Sequence, residues 1–233
     1  MFSYLSIESY TQMQTFAKET ITELLDFIRP GVSERQIAAR AKEILESKGI
    51  HEFWYYGVAA LVLVGERTPL SLSGRDYKPA ETIVGQNDLV TIDLSPLRHG
   101  YWGDYARSIF VEDGHTKLKP EQPALVDGFN MEAQLHTHFL DTAKPDMSAH
   151  DIWEIMNALI ELHGFENLDF KGNLGHSIEK DIKLRRYIEK GNHTPLGDLG
   201  LFTFEPHIRK KGQPYGFKHE NIHFFKGSQL CPL

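Results

Sequence analysis

LVTIDLSPLRHGYWGDYARSIFV, residues Leu89 to Val111, places two acids, Asp93 and Asp104, inside segments otherwise composed like β-strands. The flanks LVTIDLS and YWGDYARSIFV are rich in β-branched and aromatic residues, and PLRHG between them has turn composition. A turn centred on Arg98–His99 would set Asp93 directly opposite Asp104. Like charges directly opposed on one face of an antiparallel pair destabilise it. The pattern therefore predicts a cation between the two acids, most simply a divalent metal ion.

Working outward, a helical pattern runs from Ser6 to about Phe27 and is stopped by Arg29-Pro30-Gly31. Ser33 and Gln36 have capping-box spacing and open the amphipathic stretch ERQIAARAKEILESKG, which closes at Gly49. A third helix is expected from about Pro120 to Asp141. Ser148 and Asp151 again have N-cap spacing, and HDIWEIMNALIELHG closes at Gly164. Pro30, Ser33 and Gly49 map onto Pro145, Ser148 and Gly164 with a constant offset of 115. This predicts an internal repeat, roughly residues 1–115 and 116–233, within a single domain spanning 1–233. Each half reads as two helices followed by strands.

The second half ends in its own acidic hairpin, FEPHIRKKGQPYGFKHENIHF. Glu205 and Glu220 are equidistant from Gly212–Gln213, which has the composition of a two-residue turn with glycine first. Glu205 precedes Pro206, which favours extended backbone. A structural ion-pair network is the alternative to metal, and it needs basic partners in the same strands: Arg107 and Lys218 are the candidates. Four converging carboxylates carry more charge than one divalent ion neutralises, so two ions sharing bridging carboxylates fit better. An oxygen-rich site that also holds a histidine suits Mn, Fe, Co or Zn more than Mg or Ca. His176, in KGNLGHSIE, has neighbouring glycines that permit close backbone approach, but spacing alone does not separate it from His193, His207, His219 or His223.

The bulk composition sets limits. With 233 residues, 41% of them hydrophobic and 24% charged, the chain is sized and composed for one well-formed soluble core. A net charge of −7 argues against a nucleic-acid surface built on bulk positive charge. The apolar run VAALVLV, Val58–Val64, is far too short to span a bilayer. The first residues lack the basic-then-apolar order of a secretory signal, and the single cysteine, Cys231, leaves no internal disulfide. A cytoplasmic location is therefore expected, with no membrane or nucleic-acid partner.

Asp93, Asp104, His176, Glu205 and Glu220, in that order, resemble the five-ligand set of the pita-bread metallopeptidases, the group of methionine aminopeptidases, aminopeptidase P, prolidase and creatinase. The matching segments are VTIDLSPLRHGYWGDYARS with ten residues between its acids, Gly175-His176, FTFEP at 202–206 and the final KHEN; IRPGVSERQIAARA resembles the family's second helix. The resemblance implies an α+β pita-bread fold, with two pseudo-symmetric helix-helix-strand halves around a curved antiparallel sheet and a dinuclear centre. It also implies a catalytic domain alone, without the N-terminal domain of aminopeptidase P and prolidase. By position, Asp93 would chelate one ion, Asp104 and Glu220 would bridge both, and His176 and Glu205 would complete the second ion's shell. A hydroxide between the ions would be the nucleophile, with Glu205 moving its proton. The implied activity is hydrolysis at the amino end of a peptide, Xaa-Pro or Met aminopeptidase-like, by a monomer or homodimer.

Two departures stand against that pattern. The family carries a histidine seventeen residues before the first metal aspartate, where this chain has Asp76, and another seven residues after the metal histidine, where it has Lys183. A carboxylate beside a developing oxyanion would oppose it. Three readings follow. His193 or His207 supplies the missing donor, with Asp76 retained at the catalytic site. Lys183 and Arg75, with Tyr56 and His207 beside them, bind a substrate carboxylate, which points to a small acidic substrate or to a non-peptidase reaction on a small non-peptide amide or an amino-acid-derived substrate. Or the protein is a non-catalytic binding module. Tyr55, Tyr56 and Trp102 are candidates for apolar walls of a substrate cavity.

Overall fold

The computed structural model describes residues 4–117 and 119–233. The first half runs α1 (Tyr4–Leu25), α2 (Glu34–Ser47), β1 (Glu52–Phe53), β2 (Ala60–Val64), β3 (Asp88–Leu94), β4 (Pro96–Arg98), β5 (Tyr101–Trp102), β6 (Tyr105–Glu112) and β7 (His115–Lys117). The second runs α3 (Pro123–Thr142), α4 (Ala149–Leu162), β8 (Phe165–Asn167), β9 (Phe202–Phe204), β10 (His207–Lys210), β11 (Gly216–Lys218), β12 (Asn221–Lys226) and β13 (Gln229–Pro232).

The capping serines act as the sequence predicts. Ser33 and Ser148 each accept from the backbone N–H three residues on, while Gln36 and Asp151 reach back to the cap N–H. Both helices that follow are 14 residues long. Gly49 (φ 78°) and Gly164 (φ 77°) close them in the left-handed conformation. The third helix starts at Pro123 rather than Pro120, with the proline in its first turn.

Strand order in the first half is β2-β3-β6-β7, all antiparallel. Period-two alternation divides its residues between two environments. Val90, Ile92 and Leu94 of β3 pack with Val62 and Val64 of β2 under Ile37, Ala41 and Ile44 of α2. Thr91 and Asp93 face the opposite way, as do Leu61 and Leu63, and these four line a cavity. In the second half, α3 and α4 bury Leu135, Phe139, Ile152 and Met156 against Phe202, Phe204, Ile208 and Phe217. β6 lies beside the β11–β12 segment: Glu220 N–H donates to Ala106 O (3.0 Å) and Lys218 N–H to Ser108 Oγ (3.0 Å). No helix among the described residues is long and apolar enough to cross a membrane.

The first hairpin departs from its expected register. Its turn is His99–Gly100, both with positive φ (54° and 79°), as a tight two-residue hairpin turn requires. Arg98 therefore pairs with Tyr101, and Asp93 with Ala106, not with Asp104. Asp104 lies one residue before β6, diagonal to Asp93 on the same face. The second hairpin keeps the expected register, with Phe204↔Asn221 and His207↔Lys218 flanking Glu205 and Glu220, but its turn is a longer loop, since the last pair is Arg209↔Gly216.

Ser33→Ala or Ser148→Ala removes one side-chain cap and should cost about 1 kcal/mol each, which thermal unfolding would read as a fall in Tm of roughly 2–4 °C.

Candidate metal centre

Five chain segments converge at one end of the cavity. Asp93 comes from the inward face of β3. Asp104 is fixed by Gln14 of α1, which accepts from Asp104 N–H (3.0 Å) and donates to Asp104 O (2.8 Å). Glu220 is held by the bond to Ala106 and by Arg107, whose guanidinium donates to Glu220 O (2.6 Å) and Asn221 Oδ1 (2.8 Å). Glu205 N–H donates to Leu174 O (2.9 Å), and Thr203 Oγ1 donates to Glu205 Oε1 (3.2 Å) while accepting from His176 N–H (3.0 Å). The His176 segment lies against β9 because residue 175 is glycine: at its φ of 148° a Cβ would sit 2.1 Å from Thr203 O.

The side-chain atoms that meet there are almost all acceptors. Carboxylate oxygens of Asp93, Asp104 and Glu220 lie within 4.8 Å of one another. His176 Nδ1 is 3.1 Å from Ser177 O, which places its proton on that nitrogen and turns the Nε2 lone pair toward Asp104 Oδ2 (3.4 Å) and Glu205 Oε1 (3.5 Å). Burial, reinforced by Arg185, pushes this imidazole down to about 3, so it is neutral and does not neutralise the acids. Asp104 Oδ2 and both Glu220 oxygens are buried without any hydrogen-bond donor. Burial first, then mutual repulsion with the neighbouring carboxylates, raises both groups well above the ordinary carboxylate range. Buried acceptors left without donors are strongly unfavourable, and a divalent cation is the group that satisfies them; the residues present therefore fit a metal ion.

The ion-pair alternative is met by one residue only. Lys218 Nζ lies 2.6 Å from Asp93 Oδ2 and 3.3 Å from Glu205 Oε2. Burial opposes its charge, but the surrounding acids outweigh burial and keep it protonated. Arg107, the other candidate, turns to backbone and amide oxygens instead. One ammonium against four carboxylates leaves the centre negative.

The cavity beside these groups has a volume of about 420 Å³, with Trp54, Tyr55, Leu61 and Leu63 forming apolar wall. Trp102 stands behind that wall, 4.2 Å from Trp54 between ring centroids, and does not itself line the cavity. His207 does line it; its Nε2–H donates to Thr68 O (2.8 Å), and burial, then Lys218, pushes it down to about 4.

Five expected site residues lie elsewhere. The turn at 73–77, closed by Asp76 N–H and Tyr77 N–H on Ser73 O, sends the Tyr77 hydroxyl inward to Val62 and leaves Asp76 exposed. Arg75 is exposed and stacks 5.1 Å above the ring of Tyr56, itself 45% exposed. Lys183 faces solvent from a single 3-10 turn, Ile182–Leu184, capped by Asp181. His193 is exposed, its ring edge-on to His150 at 5.1 Å. Gln14, Thr203 and Arg185 are the residues that the spacing of acids and histidines did not single out; Arg185 lines the cavity two positions beyond Lys183.

A buried polar layer lies beyond the centre. Glu132 of α3 accepts from Ser108 Oγ (2.9 Å) and is raised to about 8 by burial. A carboxyl whose folded pKa is raised favours the folded state below its unfolded value and loses that advantage as pH rises to the folded value. Glu132→Gln should therefore gain stability relative to the parent as pH rises from about 4.5 to 8, with the gain vanishing at the acid end. Denaturant unfolding at both pH values would check this.

A model of metallopeptidase family M24 matches residues 8–225. The chain is 25% identical over 182 residues to an uncharacterized peptidase of Staphylococcus epidermidis, covering 78% of this chain and 48% of that protein. It is 25% identical over 198 residues to a methionine aminopeptidase of Helicobacter pylori, covering 80% and 73% respectively. The X-Pro aminopeptidase structure from Thermotoga maritima superposes with a TM-score of 0.82 at 20% identity, over 99% of this chain and 61% of that one. That likeness establishes the pita-bread fold. The chain spans about half the length of the uncharacterized peptidase it matches.

Proposed function

We propose that this chain, which belongs to metallopeptidase family M24, is a dinuclear-metal-dependent hydrolase that releases the N-terminal residue of a peptide, with Xaa-Pro or methionine aminopeptidase-like chemistry. The observation that supports it most is the set of donorless buried oxygens on Asp104 and Glu220 beside the Nε2 lone pair of His176. Asp93, Asp104, His176, Glu205 and Glu220 would hold the ions. Bound there, divalent ions supply Lewis acidity and lower the pKa of water to about 7.

This chain's own residues do the remaining work. Glu205 is fixed at one oxygen by Thr203 and at the other by Lys218, so its carboxylate has a defined direction from which to take a proton from the attacking water. Lys218 also holds Asp93 in place. Trp54, Leu61 and Leu63 give the substrate's first side chain an apolar wall and exclude bulk water. Asp76 and Lys183 are exposed and outside the cavity, so neither replacement of a family histidine sets a new charge against the reacting carbonyl. We read residues 1–115 and 116–233 as two copies of one helix-helix-strand unit, each contributing an acid pair.

Elemental analysis of protein purified without chelators should find about two divalent ions per chain, with half or fewer in Glu220→Ala. A peptide panel with Mn, Fe, Co or Zn supplied in turn should release single N-terminal residues. Loaded protein that releases none with any of the four metals would rule out the aminopeptidase assignment.

A further inference from the structure

Arg185 is the part-buried cation of this cavity that, among the described residues, makes no ion pair. Its Nε donates to Ile182 O (2.9 Å), its Nη1 lies 3.4 Å from His176 Nε2, and among the described residues no carboxylate lies within ion-pair distance of it. The guanidinium is cradled by rings, with its centre 5.2 Å from that of Trp54, 5.5 Å from Tyr187 and 6.0 Å from Tyr55. Such rings hold the plane of the group and keep water from it, which strengthens whatever electrostatic contact it makes.

The other basic side chains of the cavity are held differently. Lys218 is engaged by Asp93 and Glu205, His207 Nε2 by Thr68 O, and Lys171 is exposed beside the ring of Phe170. Where Lys218 meets carboxylates of the centre, Arg185 meets its imidazole, and its Nη1 and a metal ion would compete for the one lone pair of His176 Nε2. An ion held by His176 Nε2 would take that acceptor away and free the Nη1 donor of Arg185, while its Nε keeps the bond to Ile182 O.

Resting on the hydrolase assignment above, we propose that Arg185 is a catalytic residue that donates to the substrate's reacting carbonyl oxygen and receives the negative charge that develops there. As water adds to the carbonyl carbon, the electron pair of the C=O double bond moves onto oxygen, and a preorganised donor at that atom is stronger in the transition state than in the ground state.

The test uses metal-loaded parent, Arg185→Gln and Arg185→Lys, with metal content measured on each. A peptide substrate is assayed beside its C-terminal amide, and binding of an α-aminophosphonate, whose anionic tetrahedral oxygens imitate the charged oxygen, is measured by calorimetry. Arg185→Gln should keep its metal, lose on the order of 10²–10³-fold in kcat on both substrates with KM nearly unchanged, and lose aminophosphonate affinity in parallel. Arg185→Lys should recover part of both losses. An unchanged kcat and phosphonate affinity in Arg185→Gln overturns the assignment. So does a loss expressed only as raised KM for the free-carboxylate peptide, which would make Arg185 a carboxylate reader. Loss of metal from both variants overturns it in favour of a structural role. Parent protein that binds metal and aminophosphonate but cleaves no peptide defeats the aminopeptidase assignment, and the phosphonate comparison then decides Arg185 by itself.

Discussion

The structure turns on a cluster of buried oxygens with too few donors. Charges removed from water are tolerated only when paired or bound to metal, and here Asp104 and Glu220 are taken fully into the interior with acceptor atoms unmet. Asp104 is held from within the first half by Gln14, and the bonds that hold Glu220 are ones that join the halves of the molecule. Ala106 pairs with Asp93 across the first sheet and also accepts the N–H of Glu220. A single residue thus carries the spacing between an acid of the first half and an acid of the second. Lys218, two positions before Glu220, crosses to Asp93 and Glu205 by the same route.

How much of this is legible in the sequence depends on which physical rule governs each part. The helix starts follow from local hydrogen bonding at Ser33 and Ser148, and the structure keeps both capping boxes. The inward face of β3 follows from strand alternation. The partner of Asp93 does not, because it depends on one torsion: His99 adopts a positive φ that glycine usually supplies. Moving a two-residue turn by one position moves the register by two. Parity is preserved, so Asp93 and Asp104 share a face as expected, but they sit diagonally rather than opposite. Diagonal placement relieves the like-charge contact while leaving both carboxylates within reach of one cation.

Loop residues lack any such rule. Asp76 and Lys183 are aligned with family positions by residue count, yet turns closed by Ser73 and Asp181 point both away from the cavity. Two residues later the same segment returns Arg185 to the interior, between Trp54, Tyr55 and Tyr187. Nothing in KLRRY distinguishes the residue that turns inward, since 3-10 turns carry no hydrophobic period. The aromatic run FWYY offers the better clue in retrospect: two of its rings form the cradle that a guanidinium occupies.

The two cations of the cavity are unlike in shape, and each suits its place. An ammonium is compact and strongly hydrated, with donors that rotate freely. Lys218 uses that freedom to sit between Asp93 and Glu205, whose oxygens approach it from different strands at 2.6 and 3.3 Å. A guanidinium is planar, weakly hydrated and able to stack, which is the form that a slot between tryptophan and tyrosine rings accepts. Exchanging the two residue types would therefore cost something on both sides. A fork at position 218 would overfill the gap between the acids, and an ammonium at 185 would lose the stacking that fixes its direction. One cation of the cavity is engaged by the protein's own acids, and the other makes no ion pair among the described residues. The rings of Trp54, Tyr55 and Tyr187, with the bond from Arg185 Nε to Ile182 O, hold the second in place.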